Sequence, residues 1–386
     1  MTSTLIPPDL YYPEFDPGWL RHSLYDLATW INGMAFKDIN FANLGTPVIK
    51  IAEIRNGVSG QTRFTQEKYD PKYFLQDGDM LFCWSGQPET SIDTYWWRGG
   101  EGWLNQHIFK VLPNQGLVDR SFFYQLLRYL RPTFVQIARN KQTTGLGHVT
   151  KTDLQRLVVA IPPLQVQRGI AATLGALDDK IESNRRLSQI MWDLLAAEYE
   201  QLSADSEPVE IRQLLSLEYG KSLPAVKRVS GNVPVYGSNG ITGSHDKELI
   251  PGPGVIVGRK GSIGEVHWSH VASFPIDTTF YVSPISGYPL LACYFALKNA
   301  ELRDKNSDSA IPGLNREAAL GARILAPTAK VAQNWSASRQ EILCYVHHLD
   351  SENAELTSLR DTLLPELLSG RIRVPEAREA VQEAVI

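Results

Sequence analysis

The chain is written twice. Residues 24–202 and 211–371 follow one plan: an apolar opening stretch, a glycine-punctuated β-like region, then a long helix. Gly33 with Phe36 matches Gly220 with Leu223, and Thr46-Pro47-Val48 matches Val233-Pro234-Val235, both 187 residues apart. Leu81-Phe82 ahead of Gly86 matches Ile256-Val257 ahead of Gly261 at a separation of 175, while Pro113 pairs with Pro284 and Pro162 with Pro327. The shrinking offset means that loops differ in length while the elements persist. A repeat of roughly 170 residues is longer than any solenoid period, so it implies two domains with two similar surfaces.

The helical segments set what lies between those domains. Residues 164–202 follow Pro162-Pro163, contain no internal proline, and place Ile170, Leu174, Leu177, Ile181, Leu187, Met191 and Leu195 on one seam. At 1.5 Å per residue this is a rod of roughly 60 Å. The second copy, running from about Ala332, carries Leu343, Val346, Leu349, Leu356, Leu359, Leu363 and Leu367, and ends at Ser369-Gly370, a natural C-cap. Each seam holds one polar intruder, Asn184 and Asn353, and an Asn that finds a partner there fixes register. The expected fold is α+β: two duplicated mixed α/β modules, each with a twisted β-sheet, separated by two long helices in an antiparallel coiled coil. The expected boundaries are 1–160, 161–204, 205–326 and 327–386.

Charge is segregated along the chain. The net charge is −4, yet residues 120–156 hold seven Lys and Arg against Asp153, and residues 219–261 hold six against Asp246 and Glu248. The helical stretches 176–210 and 341–386 each hold nine acids, against three and four bases. Screening makes local charge decide what a surface attracts, so basic modules on acidic struts can bind a polyanion. Cys83, Cys293 and Cys344 are scattered, without CxxC spacing, and give neither a disulfide framework nor a zinc site. No apolar run reaches bilayer length and the opening residues lack signal-peptide character, so a cytoplasmic protein without membrane contact is expected.

Catalytic motifs are missing. GPGVIVGRKGS fails the P-loop spacing, and Gly252, Gly254 and Gly258 do not make GxGxxG. Neither an S-adenosylmethionine loop with an Asn-Pro-Pro-aromatic motif, nor HExxH, nor a nucleophile elbow is present. Asp178-Asp179-Lys180 resembles a nuclease triplet but lies on the helix, where a solvated face is expected, and His267 and His270 lack a third metal ligand. The chain therefore reads as a binding protein, with no metal and no cofactor of its own.

Candidate binding residues cluster at glycine-bearing turns. In the second module, Tyr236, Ser238 and Asn239 sit in VYGSNG, and Arg259, Lys260 and Ser262 in GRKGS. Asn can read an adenine edge and Arg a guanine edge, with hydroxyls and cations on phosphate. Lys221, Asn315 and Arg316 flank them. In the first module the loop ahead of the helix supplies Arg139, Lys141, Gln142, Thr143, Thr144 and His148, followed by Lys151, with Lys50 after the first strand pair. Gln106 and His107 match Asp277 and Thr278, and a core position is expected for them. The aromatics of the run from Phe122 to Arg139 are likewise expected in the core.

Three segments carry a family resemblance: IPPLQVQRGIAATLGALDDKIESNRRL; VPVYGSNGITG with GPGVIVGRKGSIGEVHW and FPIDTTFYV; and LRDTLLPELLSGRIRV. Together they resemble the specificity subunits of type I restriction-modification systems, over essentially the whole chain. The resemblance implies two target-recognition domains, each reading half of a bipartite site in double-stranded DNA. It further implies helices that set the spacing and dock two methyltransferase (M) subunits, with restriction/translocase (R) subunits completing the complex. S-adenosylmethionine, ATP and Mg would then belong to those partners, and this chain would be a non-catalytic recognition subunit in defence against foreign DNA. The sequence departs from the pattern where the first module has VIKIAEI and FCWSGQP, and where the second helical region opens with APTAKVAQNW. The alternative is a coiled-coil adaptor joining two protein-binding β modules. Salt-dependent binding to duplex DNA separates the two readings.

Overall fold

A computed structural model describes residues 12–37, 40–142, 145–304 and 313–385. It divides into two compact units, Met1–Glu182 with Ala354–Ile386, and Ser183–Asn353. Each is built on a four-stranded antiparallel sheet. In the first unit the order across the sheet is Ala28–Asn32, Ile108–Pro113, Met80–Cys83, Asp93–Trp96. In the second it is Leu215–Tyr219, Thr279–Pro284, Gly254–Gly258, Val266–Ser269. These strands match one for one in chain order and in position, so the duplication is structural.

The smaller sheets repeat as well. Thr46–Ile49 pairs in parallel with Gly102–Leu104, as Val233–Gly237 pairs in parallel with Phe274–Pro275. Leu20–Ser23 pairs with Val158–Ile161, and Pro208–Glu210 with Arg323–Leu325. Gly33 and Gly220 show why those glycines recur. A Cβ on Gly33 would stand 1.9 Å from the Asn105 carbonyl oxygen, and one on Gly220 2.1 Å from that of Ile276. Only glycine lets the two backbones approach so closely.

Both cores draw on the long helices. The helix Leu164–Ser203 gives Ile170, Leu174, Leu177 and Ile181 to the first core, together with Phe122, Phe123 and Phe134, all buried. Its later residues Leu195 and Tyr199 enter the second core with Phe280 and Phe295. The helix Gln340–Ser369 gives Leu356, Leu363 and Leu367 to the first core and Leu343 to the second. The pairing is antiparallel in each unit. In the first, Asp178 meets Arg360 while Gly169 lies against Val374, just past the end of the second long helix; in the second, Asn184 meets Glu352 and Glu198 meets Arg339. Gly370 ends the helix at φ +75°.

Of the two seam asparagines, Asn184 finds its partner on the second long helix, its Nδ2 donating to Glu352 Oε2 at 2.7 Å, while the buried Asn353 Oδ1 has no hydrogen-bond partner among the described residues. Two expectations are corrected. The second helix is interrupted at Arg339, where Ala329–Ser338 ends and Gln340–Ser369 begins. There the Arg339 guanidinium clasps Glu198 at 2.7 and 2.8 Å. Asp178 is no solvated face. It accepts from Gln125 at 2.8 Å and pairs with Arg128 at 3.1 Å and Arg360 at 3.0 Å, tying a domain helix to both long helices within the first unit. No described helix is long and apolar enough to cross a membrane.

Candidate nucleic-acid interface

In the second unit the turn residues converge on the strand end Asp277-Thr278. The Arg259 and Lys260 amides both donate to the Thr278 carbonyl, at 2.9 and 3.1 Å, and Ser238 Oγ donates to the same oxygen at 2.7 Å. Leu314 N donates to Arg259 O at 2.9 Å, which seats the segment Gly313–Arg316 beside the GRKGS turn. Ser262 Oγ donates to Asn239 Oδ1 at 3.4 Å and so links the two glycine-flanked turns. Lys221 is held next to them through its amide on the Pro275 carbonyl, 3.1 Å. The assembled face exposes Asn239, Lys260, Lys221 and Asn315, with Asp277 as its one exposed acid among these residues.

Several candidates serve the scaffold instead. Tyr236 is 7% exposed and its hydroxyl donates to the Trp268 carbonyl, while burial raises the phenol above its ordinary pKa. Ser238 is equally buried, on Thr278. The expectation that these two face phosphate or base is therefore corrected. Arg316 Nε donates to the Leu217 carbonyl at 2.6 Å, and Asn315 Oδ1 caps the helix Arg316–Leu320 through Ala318 N at 3.0 Å. Arg259 sits over two rings that pack edge-to-face on each other, 5.4 Å from the centroid of Tyr219 and 5.8 Å from that of Phe280, and donates to the Asp277 carbonyl. It is a packed side chain, not a free cation on a turn.

The first unit uses the same hydrogen bonds with other side chains. Trp84 N donates to His107 O at 3.1 Å and Val149 N to Trp84 O at 2.8 Å, matching the Arg259 and Leu314 bonds. Gly33 N donates to Ile108 O at 3.0 Å, as Gly220 N does to Thr279 O at 3.1 Å. Trp84 therefore occupies the position of Arg259, Asn32 that of Tyr219, and His107 that of Thr278. Thr150 caps Lys151–Arg156 as Asn315 caps its counterpart. His107 is exposed, which corrects its expected core position, and Gln106 is half-buried. Asn32 and Trp84 were not among the candidates, although the offsets of 187 and 175 residues place them opposite Tyr219 and Arg259.

The basic stretch of the first unit is largely neutralised within the unit. Arg131 pairs with Asp93 at 2.9 Å and Arg139 pairs with Glu89. Lys141 reaches both Asp153 oxygens at 2.6 Å. Burial alone would raise that carboxyl, and Lys141 with Thr150 holds it below its ordinary value. Lys141 as a free phosphate contact is thus corrected. Gln142 folds back onto the Gly145 carbonyl at 2.6 Å, His148 joins a short strand pair with Ser85, and Thr143 and Thr144 lie outside the described residues. Lys151 lies 4.9 Å from the Tyr25 ring centroid and Lys50 5.3 Å from that of Phe41, neither in an ion pair among the described residues. These two stay available to an anion.

Residues 18–190 match the family described as the type I restriction modification DNA specificity domain. Over 176 residues the chain is 28% identical to the type I restriction enzyme EcoBI specificity subunit of Escherichia coli, covering 45% of this chain and 35% of that one. Over 186 residues it is 33% identical to the putative type I restriction enzyme MjaX specificity subunit of Methanocaldococcus jannaschii, covering 46% and 44%. The alignments thus span less than half the length of each of these relatives. The crystal structure of a type I restriction-modification system S subunit from M. genitalium is similar over 95% of this chain and 99% of that one, with a TM-score of 0.51 at 18% identity. That likeness is one of fold.

Proposed function

We propose, from the match of residues 18–190 to the type I restriction modification DNA specificity domain, that this chain is the DNA-recognition subunit of such a system. Each unit binds one half of a bipartite site in double-stranded DNA. The long helices set the spacing and dock two methyltransferase subunits. S-adenosylmethionine, ATP and Mg are bound by those partners and by the restriction subunits, in the cytoplasm, and this chain contributes recognition without catalysis.

One observation carries the reading: the two units keep the same framework hydrogen bonds while Trp84 and Arg259, Asn32 and Tyr219, His107 and Thr278 exchange chemistry at equivalent positions. A repeated scaffold with different side chains at its exposed turns is what reading two different half-sites requires. A coiled-coil adaptor would gain nothing from that arrangement. The test is duplex-DNA binding by the full chain between about 50 and 200 mM salt. Phosphate contacts make log affinity fall linearly with log salt, at a slope of about −0.9 per ion displaced. A flat response or no binding would favour the adaptor.

A further inference from the structure

We propose that Asn32, Trp84 and His107 form the base-reading surface of the first unit, and that the edge they read is a thymine in the major groove. This rests on the function proposed above and names what one of its two readers contacts.

The Trp84 indole N–H donates to Asn32 Oδ1 at 2.9 Å. An indole nitrogen can only donate, so the bond fixes which end of the Asn32 amide faces it. The carbonyl is engaged and the NH₂ end remains for a ligand. Asn32 is exposed, so those donors are accessible. The Trp84 ring is itself held, 5.2 Å from the His107 ring and 5.7 Å from the Phe109 ring, and is partly exposed. His107 keeps the ring company at a backbone φ of +75°, a conformation unusual for a non-glycine residue and concentrated at functional sites. The assembled surface is a fixed apolar plate beside a pair of N–H donors.

Base edges sort against that surface. Cytosine presents only an amino donor in the major groove, and adenine an acceptor, N7, beside an amino donor; in each the amino group meets the Asn32 donors head on, and neither carries a methyl group for the plate. Guanine presents two acceptors and no methyl group. Thymine presents one acceptor, O4, beside the C5 methyl, and so matches a donor next to an apolar plate. The second unit has Arg259 and Tyr219 at these positions, which predicts a different base there.

The test begins with selection of bound duplexes from a randomised library by the full wild-type chain. One half-site is expected to contain a thymine whose replacement by deoxyuridine, which lacks only the methyl group, weakens binding about fourfold. In Trp84→Phe the amide is free to turn and offer its carbonyl. Adenine should then be accepted at that position, with discrimination falling about tenfold, while the other half-site stays the same. The deoxyuridine arm uses unmodified protein and holds even if the variant folds poorly. Insensitivity to deoxyuridine throughout, or a change confined to the other half-site, would overturn the assignment. A wild-type chain that enriches no sequence would overturn the parent reading, and this one with it.

Discussion

Where the first unit places the Trp84 ring 5.7 Å from Phe109 with its N–H on Asn32, the second places the Arg259 guanidinium 5.8 Å from Phe280, beside Tyr219. Aromatic and polar members have traded places over a phenylalanine that both units retain. The backbone beneath has not changed: the amide at each position donates to the neighbouring strand end, and its carbonyl accepts from the segment before the long helix. The difference separates two kinds of constraint. Glycines and main-chain bonds fix the scaffold, and the side chains riding on it are free to diverge. The units differ in charge for the same reason. Arg128, Arg131, Arg139 and Lys141 are paired to acids in the first, whereas Lys221 and Lys260 have no acid partner among the described residues of the second.

If the scaffold is common, breaking it should cost the same in either unit. Gly33→Ala and Gly220→Ala each force a Cβ within 1.9 and 2.1 Å of a backbone oxygen, which no side-chain rotation relieves. Each should destabilise its own unit by about 2–4 kcal/mol. Chemical denaturation followed by hydrogen exchange, which assigns the loss to a unit, checks this. A large loss in one unit with tolerance in the other would end the claim of a shared framework.

The next effect belongs to the second unit alone. His270 is pushed down to about 4 by burial and by His347, whose ring stacks on it at 5.0 Å; Trp192, Trp268 and Asp350 also surround it. With a folded pKa below the unfolded value near 6.5, the unfolded chain binds the extra proton. Stability contributed by the neutral ring is therefore complete above about pH 6.5 and lost as pH falls towards 4. Asp350 has the opposite sense, since burial raises its carboxyl. Melting curves across that range, for wild type and His270→Gln, isolate the histidine. The wild type should lose more stability on acidification than the variant, and parallel curves would exclude the effect.

Much of this fold was legible because its constraints are local or repeat at fixed offsets. Gly33 and Gly220, Pro113 and Pro284, and the apolar seam from Ile170 to Ile181 stand where the spacing put them. What could not be read depends on residues distant in sequence. Half of the excess of six positive charges in residues 120–156 is met by Glu89, Asp93 and Asp178, all outside that window. Asn184 was visible as a polar intruder, but its partner Glu352, 168 residues away, is fixed by a register no periodicity resolves. The break at Arg339 contains neither proline nor glycine. The positive φ of His107 left no trace in its residue type.

The smallest expected effect divides two neighbours that the sequence treats as equals. Arg259 packs over the Tyr219 and Phe280 rings, donates to Asp277 O, and has its Nε buried without a partner among the described residues. Lys260 is exposed and contributes only its backbone to the fold. Arg259→Ala should therefore destabilise the second unit by about 1–2 kcal/mol through lost packing and cation–π contact, and weaken DNA binding with it. Lys260→Ala should leave stability unchanged and reduce the salt slope of binding by about one ion. Denaturation and salt-titrated binding on both variants give four numbers, and the pattern decides. If Arg259→Ala moved only the slope, its cation would be facing phosphate after all, and the ring contacts would be incidental. If Lys260→Ala moved neither number, the turn would lie outside the interface, and the exposed cation of the second unit would need to be sought at Lys221.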